Sequence, residues 1–333
     1  MKAFTHANPR DLAHALTLVR DARQSGRTAA LAGGGSDLLG MMKERLVAPD
    51  LLVNLKSVRG LDEVTPQGRG LSIGGLVTLD ALGRHPIVRR DYAVLAEAAR
   101  TVATPQIRNV ATLAGNICQR PWCWYYRNGF KCLKNGGTTC FSVAGENAFH
   151  AIFGGGPSYI VHPSDTAPAL VALDASFRIA GPAGERLVLA ADFFTLPNID
   201  AARENVLQAG EALVAIVLPA PSGARSSYHK VLDREAWTHA VVSAAVVMQL
   251  RGEVCERARV VLGGVAPIPW RLPEVEKMLA GQRITPALAE KAGDLAVAGA
   301  RPLAKNGYKI PLTRGMVGRT ILAIADRGFR NAD

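Results

Sequence analysis

The stretch LAGGGSDLL at residues 31–39 joins a short apolar segment to a helix-like one, LLGMMKERL. The three glycines at 33–35 lack a Cβ atom, so backbone N–H groups in this turn can approach and cradle a diphosphate. Ser36 and Asp37 can add side-chain hydrogen bonds. The stretch is neither G-x-G-x-x-G nor a Walker loop, because no G-K-[ST] follows. Alone, it is equally compatible with a tight turn that binds nothing.

The composition is that of an ordinary globular protein, with 48% hydrophobic and 20% charged residues in a chain of 333. This length accommodates two or three domains. The first residues, MKAFTHANPRDLAHAL, hold no apolar run, which predicts no signal peptide or twin-arginine leader, and we expect no membrane span. The net charge of +11 is not concentrated in any run of five basic residues. We interpret it as dispersed surface charge and predict no nucleic-acid partner.

Local patterns predict helices alternating with strands. Apolar positions at helical spacing indicate a helix over 11–24 with Asp11 as its cap. Short apolar runs indicate strands at 29–32 and 47–56. A second amphipathic helix is predicted over 91–102.

Two further segments make a nucleotide site more specific. PQIRNVATLAGNI at 105–117 again combines small residues with a polar side chain, that of Asn116. Two such loops would let a long, flat dinucleotide lie across two subdomains. HPSD at 162–165 places Asp165 at a predicted helix start, where its carboxylate either caps the helix or accepts hydrogen bonds from a ring or ribose.

Cysteines are concentrated in NICQRPWCWYYRNGFKCLKNGGTTC at 116–140. This density predicts a metal or cluster site in a reducing compartment rather than a disulfide framework. Cys255, far from the others, is interpreted as an ordinary thiol. The four clustered cysteines are Cys118, Cys123, Cys132 and Cys140.

A zinc-stapled, basic nucleic-acid-binding or assembly protein is the alternative from another class. The gaps between the four cysteines are four, eight and seven residues. Structural zinc prefers tight C-x₂₋₄-C pairs, and only the first gap comes close. The spacing therefore fits zinc poorly.

Six segments along nearly the whole chain resemble, in order and spacing, one family: the FAD-binding medium subunit of the molybdenum hydroxylases, the group of xanthine dehydrogenase, carbon monoxide dehydrogenase and aldehyde oxidoreductase. The segments are LAGGGSDLL, IGGLVTLDAL, QIRNVATLAGNI, HPSDTAPALVALDA, YHKVLDREAWTHAVVSAA and LGGVAPIPWR. The resemblance implies an α+β protein, with a two-subdomain FAD-binding fold of the vanillyl-alcohol-oxidase (PCMH) type. A C-terminal α+β domain with a three-stranded antiparallel sheet is implied to follow.

The expected domains are an FAD-binding domain at 1–222, with subdomains 1–56 and 57–222, and a C-terminal domain of the carbon monoxide dehydrogenase flavoprotein type at 223–333. The small, turn-rich segment PAPSGARSS at 219–227 marks the boundary between them.

The resemblance also implies which residues contact FAD. Ile107 and Ala111 correspond to packing positions of the flavin-side loop. Lys230 matches a lysine that reaches toward the isoalloxazine, whereas without the resemblance it would be interpreted as a solvated surface lysine. The implied FAD contacts are Ala32, Gly33, Gly34, Gly35, Ser36, Asp37, Leu38, Ile107, Ala111, Thr112, Gly115, Asn116, Ser164, Asp165 and Lys230.

One branch of the family, which includes 4-hydroxybenzoyl-CoA reductase and periplasmic aldehyde oxidoreductase, holds a 4Fe–4S cluster on an inserted loop. Residues 118–159 resemble that loop in place and character. RPWCWYYRN, FKCLKNGG and TTC match the first three ligands of the branch, which implies Cys123, Cys132 and Cys140. The loop is rich in aromatic residues, which either pack it or form a docking face.

The fourth ligand is where this chain departs from the branch, since Ser158 or Tyr159 stands where a cysteine is expected. Thiolate ligation is usually fourfold, so Cys118 is the first candidate. The alternatives are ligation by the Ser158 oxygen and a cluster that is incomplete or lost. His150 and His162 are outside candidates.

The resemblance implies electron transfer rather than substrate oxidation in this chain. A large molybdopterin-binding subunit would hold the molybdenum cofactor. Two 2Fe–2S clusters in a small subunit would pass electrons to this FAD and then to an external acceptor. A heterotrimer, or a dimer of heterotrimers, is expected. The expected location is the cytoplasm, with co-export to the periplasm on a partner's leader as the alternative.

Overall fold

The chain opens with a small parallel sheet of strand order β1–β3–β2. Its elements are β1 (Thr5–Ala7), α1 (Leu12–Gln24), β2 (Ala29–Ala32), α2 (Leu38–Lys43) and β3 (Leu51–Asn54). The first helix starts where predicted, because the Asp11 carboxylate accepts a hydrogen bond from the His14 amide at 2.7 Å. The glycine turn at 33–35 joins β2 to α2, as the sequence predicts.

A five-stranded antiparallel sheet of order β4–β5–β8–β6–β7 forms the middle of the chain. Helices cover it, and the largest apolar core lies between helices and sheet. Its elements are β4 (Val64–Gln67), β5 (Gly70–Gly74), α3 (Leu79–Arg84), α4 (Pro86–Asp91), α5 (Ala93–Arg100), α6 (Pro105–Arg108), α7 (Leu113–Ile117), α8 (Trp124–Arg127), α9 (Thr166–Ala172), β6 (Ser176–Gly181), β7 (Gly184–Leu189), α10 (Ala190–Phe193) and β8 (Ala212–Leu218).

The helix predicted over 91–102 is shorter than expected. The backbone leaves helical geometry at Tyr92 (φ −136°, ψ 47°), which separates α4 from α5. The Tyr92 hydroxyl instead donates to the Pro219 carbonyl at 2.7 Å. A tertiary hydrogen bond therefore accompanies a break that the local pattern does not predict.

A four-stranded antiparallel sheet of order β12–β11–β10–β9 and three helices complete the chain. Three strands were expected here, and the structure adds a fourth of two residues, because Trp270 and Arg271 pair with Leu262 and Val261. The elements are β9 (Arg225–Val231), β10 (Val242–Arg251), β11 (Val254–Gly263), β12 (Trp270–Arg271), α11 (Pro273–Leu279), α12 (Pro286–Ala296) and α13 (Lys309–Phe329).

The computed structural model describes residues 1–235 and 238–329. Ala236 and Trp237, inside the YHKVLDREAWTHAVVSAA segment, lie outside the described residues. Over the described ranges, none of the helices combines the length and apolar character needed to cross a membrane. The division at residue 222 stays a prediction, although each of the three sheets falls within one of the three predicted ranges.

Candidate functional site

The glycine turn packs directly on the second predicted loop. A Cβ atom on Gly34 would lie 2.0 Å from the Val110 carbonyl oxygen, and one on Gly33 would lie 2.9 Å from Thr112 Oγ1. Only glycine permits so close an approach at position 34. The two loops that were expected to clasp a dinucleotide are therefore in contact, with little side-chain material between them.

A buried polar cluster continues from the second loop. The hydroxyls of Ser164 and Thr166 both donate to Asn116 Oδ1, at 2.6 and 2.7 Å. Ser164 Oγ also accepts from the Ala167 amide at 3.0 Å. Ser164 thus caps α9, whereas the Asp165 side chain makes no capping bond.

Asp165 instead lies in a buried ion pair. Lys230 Nζ approaches Asp165 Oδ2 at 2.7 Å and also donates to the Thr101 carbonyl at 3.1 Å. The Tyr228 hydroxyl donates to Asp165 Oδ1 at 2.7 Å. Burial, and then the Asp165 charge, raise the pKa of Tyr228 well above its usual value, so it remains a donor. Asp165 therefore does not act as a plain helix cap, and Lys230 is not a solvated surface lysine.

Asp37, at the end of the glycine turn, is held by the cysteine-containing loop. Arg127 Nη2 lies 2.7 Å from Asp37 Oδ1, and the Arg120 amide donates to Asp37 Oδ2 at 2.9 Å. The Arg127 guanidinium stacks over the Trp122 ring at 4.3 Å. The Trp122 ring also lies 5.4 Å from the His239 ring. Sequence reasoning missed Arg127, His239 and Tyr228, because their partners are distant in the chain.

Most of the remaining predicted FAD residues lie beside these groups. Ala32 ends β2, Leu38 begins α2, and Ile107 and Ala111 pack on the largest core. The assignment of these residues as FAD contacts stays a prediction.

A tight turn brings Cys132 and Cys140 toward each other. A Cβ atom on Gly137 would lie 1.8 Å from the Lys131 carbonyl oxygen, so only glycine fits there. After this turn, Thr139 pairs with Cys132 in a parallel bridge, and its carbonyl accepts from the Leu133 amide at 3.2 Å.

The Cys123 thiol belongs to the same group. Burial raises its pKa most, the amides of Tyr126 and Tyr125 oppose this, and the neighbouring Cys132 and Cys140 thiols raise it further. In the part of the chain that the structure describes, no three histidine, cysteine or acidic side chains are placed to hold a single metal ion. Cysteine thiolates are the usual ligands of iron–sulfur clusters, and the cluster predicted for this loop stays a prediction.

The other candidate ligands differ in their surroundings. Cys118 directly follows α7 and packs on the largest core, and burial raises the pKa of its thiol to about 12. His150 Nε2 lies 3.4 Å from Cys123 Sγ. Burial, and then the charge of Lys309, lower the pKa of His150 to about 4, against the opposing effect of the Asn147 backbone. Burial lowers the pKa of His162 to about 3. Cys118 as fourth ligand stays a prediction.

The residues present fit a flavin dinucleotide. The turn at 33–35 offers backbone amides, and its glycines let it pack closely on Val110 and Thr112. Beyond it lie buried hydroxyl and amide groups, and then the opposite charges of Asp165 and Lys230. This sequence of donors suits a molecule with a diphosphate at one end and a polar ring at the other.

Comparison with known proteins identifies the class. Residues 2–221 match the family described as the FAD binding domain in molybdopterin dehydrogenase, and residues 227–324 match the CO dehydrogenase flavoprotein C-terminal domain. The chain therefore belongs to the family of FAD-binding subunits of the molybdenum hydroxylases. It is an oxidoreductase subunit, and in this family the substrate is oxidised in other subunits.

The sequence matches to individual relatives extend over almost their whole length and support the same class. The chain is 38% identical to the aldehyde oxidoreductase FAD-binding subunit PaoB of Escherichia coli K12, over 94% of this chain and 96% of the relative. It is 28% identical to the carbon monoxide dehydrogenase medium chain of Hydrogenophaga pseudoflava, over 96% of each. Among solved structures, quinoline 2-oxidoreductase from Pseudomonas putida 86 matches with a TM-score of 0.77 at 25% identity, covering 98% and 99% of the two chains.

Proposed function

We propose that this chain is the FAD-containing electron-transfer subunit of a molybdenum hydroxylase complex and that it carries an additional 4Fe–4S cluster. Substrate is oxidised at a molybdenum cofactor in a large subunit. Electrons reach FAD through two 2Fe–2S clusters of a small subunit and leave to an external acceptor. Membership of the family and the names of its relatives, which are FAD-binding subunits and medium chains, support this proposal.

The complex we propose is a heterotrimer, or a dimer of heterotrimers. A medium chain, as the carbon monoxide dehydrogenase relatives are named, implies a larger and a smaller partner. The five cysteines are all free thiols, which favours a reducing compartment, so we propose the cytoplasm as the place of assembly.

One observation carries the flavin part of the proposal. The predicted contacts come from segments far apart in sequence, yet they form one chain of contacts. The glycine turn touches Thr112, the same loop leads to Asn116, Asn116 binds Ser164, and the adjacent Asp165 pairs with Lys230. Such a continuous polar path beside the turn suits a long ligand with a diphosphate and a polar ring.

Different residues would bind different parts of FAD. The backbone at 33–35 would bind the diphosphate, and Thr112, Asn116 and Ser164 would hold polar groups nearer the ring. Lys230 places a buried positive charge that would favour negative charge on the ring. Bound FAD supplies the exchange between two-electron and one-electron chemistry.

Cys123, Cys132 and Cys140 would hold the cluster. Thr139, which precedes Cys140, pairs with Cys132, and in the same loop the rings of Tyr125 and Phe141 stack with their centroids 6.0 Å apart.

Anaerobic purification with the co-purifying subunits tests both parts. We expect yellow flavin absorption with a broad, reducible iron–sulfur shoulder, and iron and sulfide in excess of what the 2Fe–2S subunit accounts for. Cys132→Ser is expected to lower iron and sulfide relative to molybdenum. Cys255→Ala is the control, because it removes a thiol that is 0% exposed but lies outside the loop.

The outcomes separate the alternatives. If FAD is found without excess iron, the flavoprotein assignment stands and the cluster assignment is wrong. A colourless protein that contains zinc would defeat both parts. Unchanged iron in Cys132→Ser would mean that the ligand assignment is wrong.

A further inference from the structure

We propose that this chain binds a polyphosphate anion in a basic cavity formed by four consecutive helices, α3 to α6. The cavity has a volume of about 440 Å³. The proposal does not depend on the cluster or on electron transfer. The cavity is lined by four arginines, one glycine and one carboxylate, namely Asp80, Gly83, Arg84, Arg89, Arg100 and Arg108.

Each of the four arginines comes from the last turn of a different helix. Arg84 belongs to α3, Arg89 to α4, Arg100 to α5 and Arg108 to α6. A cation in the last turn stabilises a helix, which accounts for each arginine taken singly. It does not account for the convergence of all four on one cavity. Because the four positions are spread over 84–108, the fold rather than a run of basic residues brings the charges together.

Protein groups balance these charges only in part. Asp80 is the one acidic residue in the lining, and its carboxylate pairs with Arg84 Nε at 3.0 Å. The guanidinium groups of Arg89 and Arg100 make no hydrogen bond or ion pair with any residue that the structure describes. Both side chains are exposed, so their N–H groups are accessible to a solute.

Contacts within the fold position two of the arginine side chains. A Cβ atom on the buried Gly83 would lie 2.7 Å from Arg100 Cγ, so the aliphatic part of Arg100 lies directly on α3. Arg108 Nη1 donates to the Val102 carbonyl at 2.7 Å, which uses one of its five N–H groups. Side chains that are already held lose less freedom when a ligand binds.

The chemistry of the lining indicates the class of ligand. A cleft lined by one sign of charge concentrates ions of the opposite sign, and a guanidinium group binds phosphate oxygens with pairs of N–H groups. Four such groups suit a ligand with more than one anionic group. The volume lies within the range of small-molecule sites. None of the six lining residues is aromatic or aliphatic, so phosphate groups rather than a nucleobase would be recognised.

The cavity is separate from the residues predicted to contact FAD, because none of its six lining residues belongs to that set. The same helices nevertheless contact the predicted flavin region. At the start of α3, the Leu79 amide donates to the Ala111 carbonyl at 2.9 Å. Directly after Arg100, the Thr101 carbonyl accepts from Lys230 Nζ at 3.1 Å. FAD content therefore serves as an independent readout when the arginines are changed.

Calorimetric titration of the purified complex with tripolyphosphate, in about 0.15 M salt, tests the proposal. We expect one site per copy of this chain. Arg89→Gln and Arg100→Gln should each weaken binding about tenfold, because each removes charge-assisted hydrogen bonds to phosphate. Asp80→Asn should strengthen binding, since it removes the one negative charge of the lining. Arg20→Gln, which changes an exposed arginine paired with Asp21 on α1, is the control and should bind as the wild type does.

Titration with ATP distinguishes two sources of the ligand. Equal affinities for ATP and tripolyphosphate would support a site for phosphate groups alone, whereas tighter binding of ATP would support nucleotides as the ligand. FAD content should stay at the wild-type level in all four variants, which shows that a change in binding does not come from loss of the fold.

Four results would overturn the proposal. The first is no binding of tripolyphosphate or ATP to the wild-type complex. The second is equal weakening in Arg20→Gln, which would indicate general attraction to a basic surface, and the third is binding of citrate as tight as that of tripolyphosphate. The fourth is loss of a partner subunit from Arg89→Gln or Arg100→Gln during gel filtration, which would identify the arginines as a docking face for an acidic protein.

Discussion

Lys230 and Asp165 bury opposite charges, with side chains 2% and 4% exposed. Burial of either charge alone is costly, so each depends on the other and on the surrounding hydrogen bonds. Tyr228 and the Thr101 carbonyl supply those bonds. Protein groups alone therefore hold the ion pair in place.

Lys230→Met is expected to lower the free energy of unfolding by about 3 kcal/mol, because it leaves the Asp165 carboxylate buried without a cation. The double variant K230M/D165N should recover part of that loss. Denaturant unfolding measures both, and FAD content reports on the site. Lys277→Met, which removes an exposed pair with Glu274, is the control and should cost under about 1 kcal/mol. Equal losses in the two lysine variants would contradict the prediction.

The buried His162 imidazole is expected to make the stability of the protein depend on pH. Burial lowers its pKa to about 3, whereas an unfolded histidine titrates near ~6.5. The unfolded state therefore binds a proton that the folded state does not bind between these pH values. The contribution to stability is complete above pH ~6.5 and is lost as the pH falls toward the folded pKa.

His162→Asn should remove that pH dependence while keeping an acceptor for the Ser164 amide, which now binds His162 Nδ1 at 3.3 Å. The slope of unfolding free energy against pH should be shallower in the variant below pH ~6.5, by up to about 1.4 kcal/mol per pH unit. Chemical denaturation at several pH values gives the slope. His6→Asn, at an exposed position, is the control, and parallel slopes for wild type and His162→Asn would refute the prediction.

Among the elements, α8 connects the cysteine loop to the glycine turn. Its last residue, Arg127, is 90 positions from Asp37 in sequence, and its side chain is 6% exposed. The guanidinium also donates to the Pro121 carbonyl at 2.9 Å. The helix thus links the cysteine loop to the glycine turn through the Arg127–Asp37 ion pair.

Arg127→Ala is expected to lower both stability and FAD occupancy, because Asp37 loses its cation and the glycine turn loses its outer support. A cost of about 3 kcal/mol is typical when one partner of a buried pair is removed. The ratio of FAD to protein after desalting measures occupancy. Arg20→Ala breaks the exposed pair with Asp21 and should change neither quantity. Full FAD occupancy in Arg127→Ala would show that the link has no role in binding.

In the whole molecule, the cysteine loop contacts all three sheet-containing parts. Arg127 reaches Asp37 in the first part, and Lys134 pairs with Glu204 in the middle part at 2.8 Å. Asn306, in the last part, binds the carbonyl of His150. The loop is therefore tied to all three parts by its polar contacts, although several of its large apolar side chains, such as Trp124 and Phe149, are exposed.

A feature of the fold could be predicted from the sequence when the residues that produce it are close together in the chain. The Asp11 cap and β2 depend on neighbouring residues and are confirmed. The break at Tyr92 accompanies a hydrogen bond to the distant Pro219, and β12 is a strand of only two residues that pairs with the end of β11; both were missed. The same holds within the site, where residue type and order locate the glycine turn and the cysteines. The partner of Asp37, by contrast, is decided only when the chain folds.

Asn306 gives the prediction that tests this arrangement of the whole molecule. Its side chain is 0% exposed, donates to the carbonyls of His150 and Ala151, and accepts from the Leu303 amide at 2.7 Å. Asn306→Ala leaves these buried groups unsatisfied, so a loss of about 1–3 kcal/mol in unfolding free energy is expected.

The loop should respond as well, because the C-terminal part no longer fixes the backbone of its residues near 150. Hydrogen exchange of residues 141–153 should accelerate, and the cluster should lose iron faster during gel filtration with a chelator. Asn128→Ala provides the comparison, since Asn128 lies in the same loop but is exposed and bonds only within it, to the Trp124 carbonyl at 2.8 Å. If Asn306→Ala changed global stability but neither loop exchange nor iron retention, the C-terminal part would not stabilise the cysteine loop.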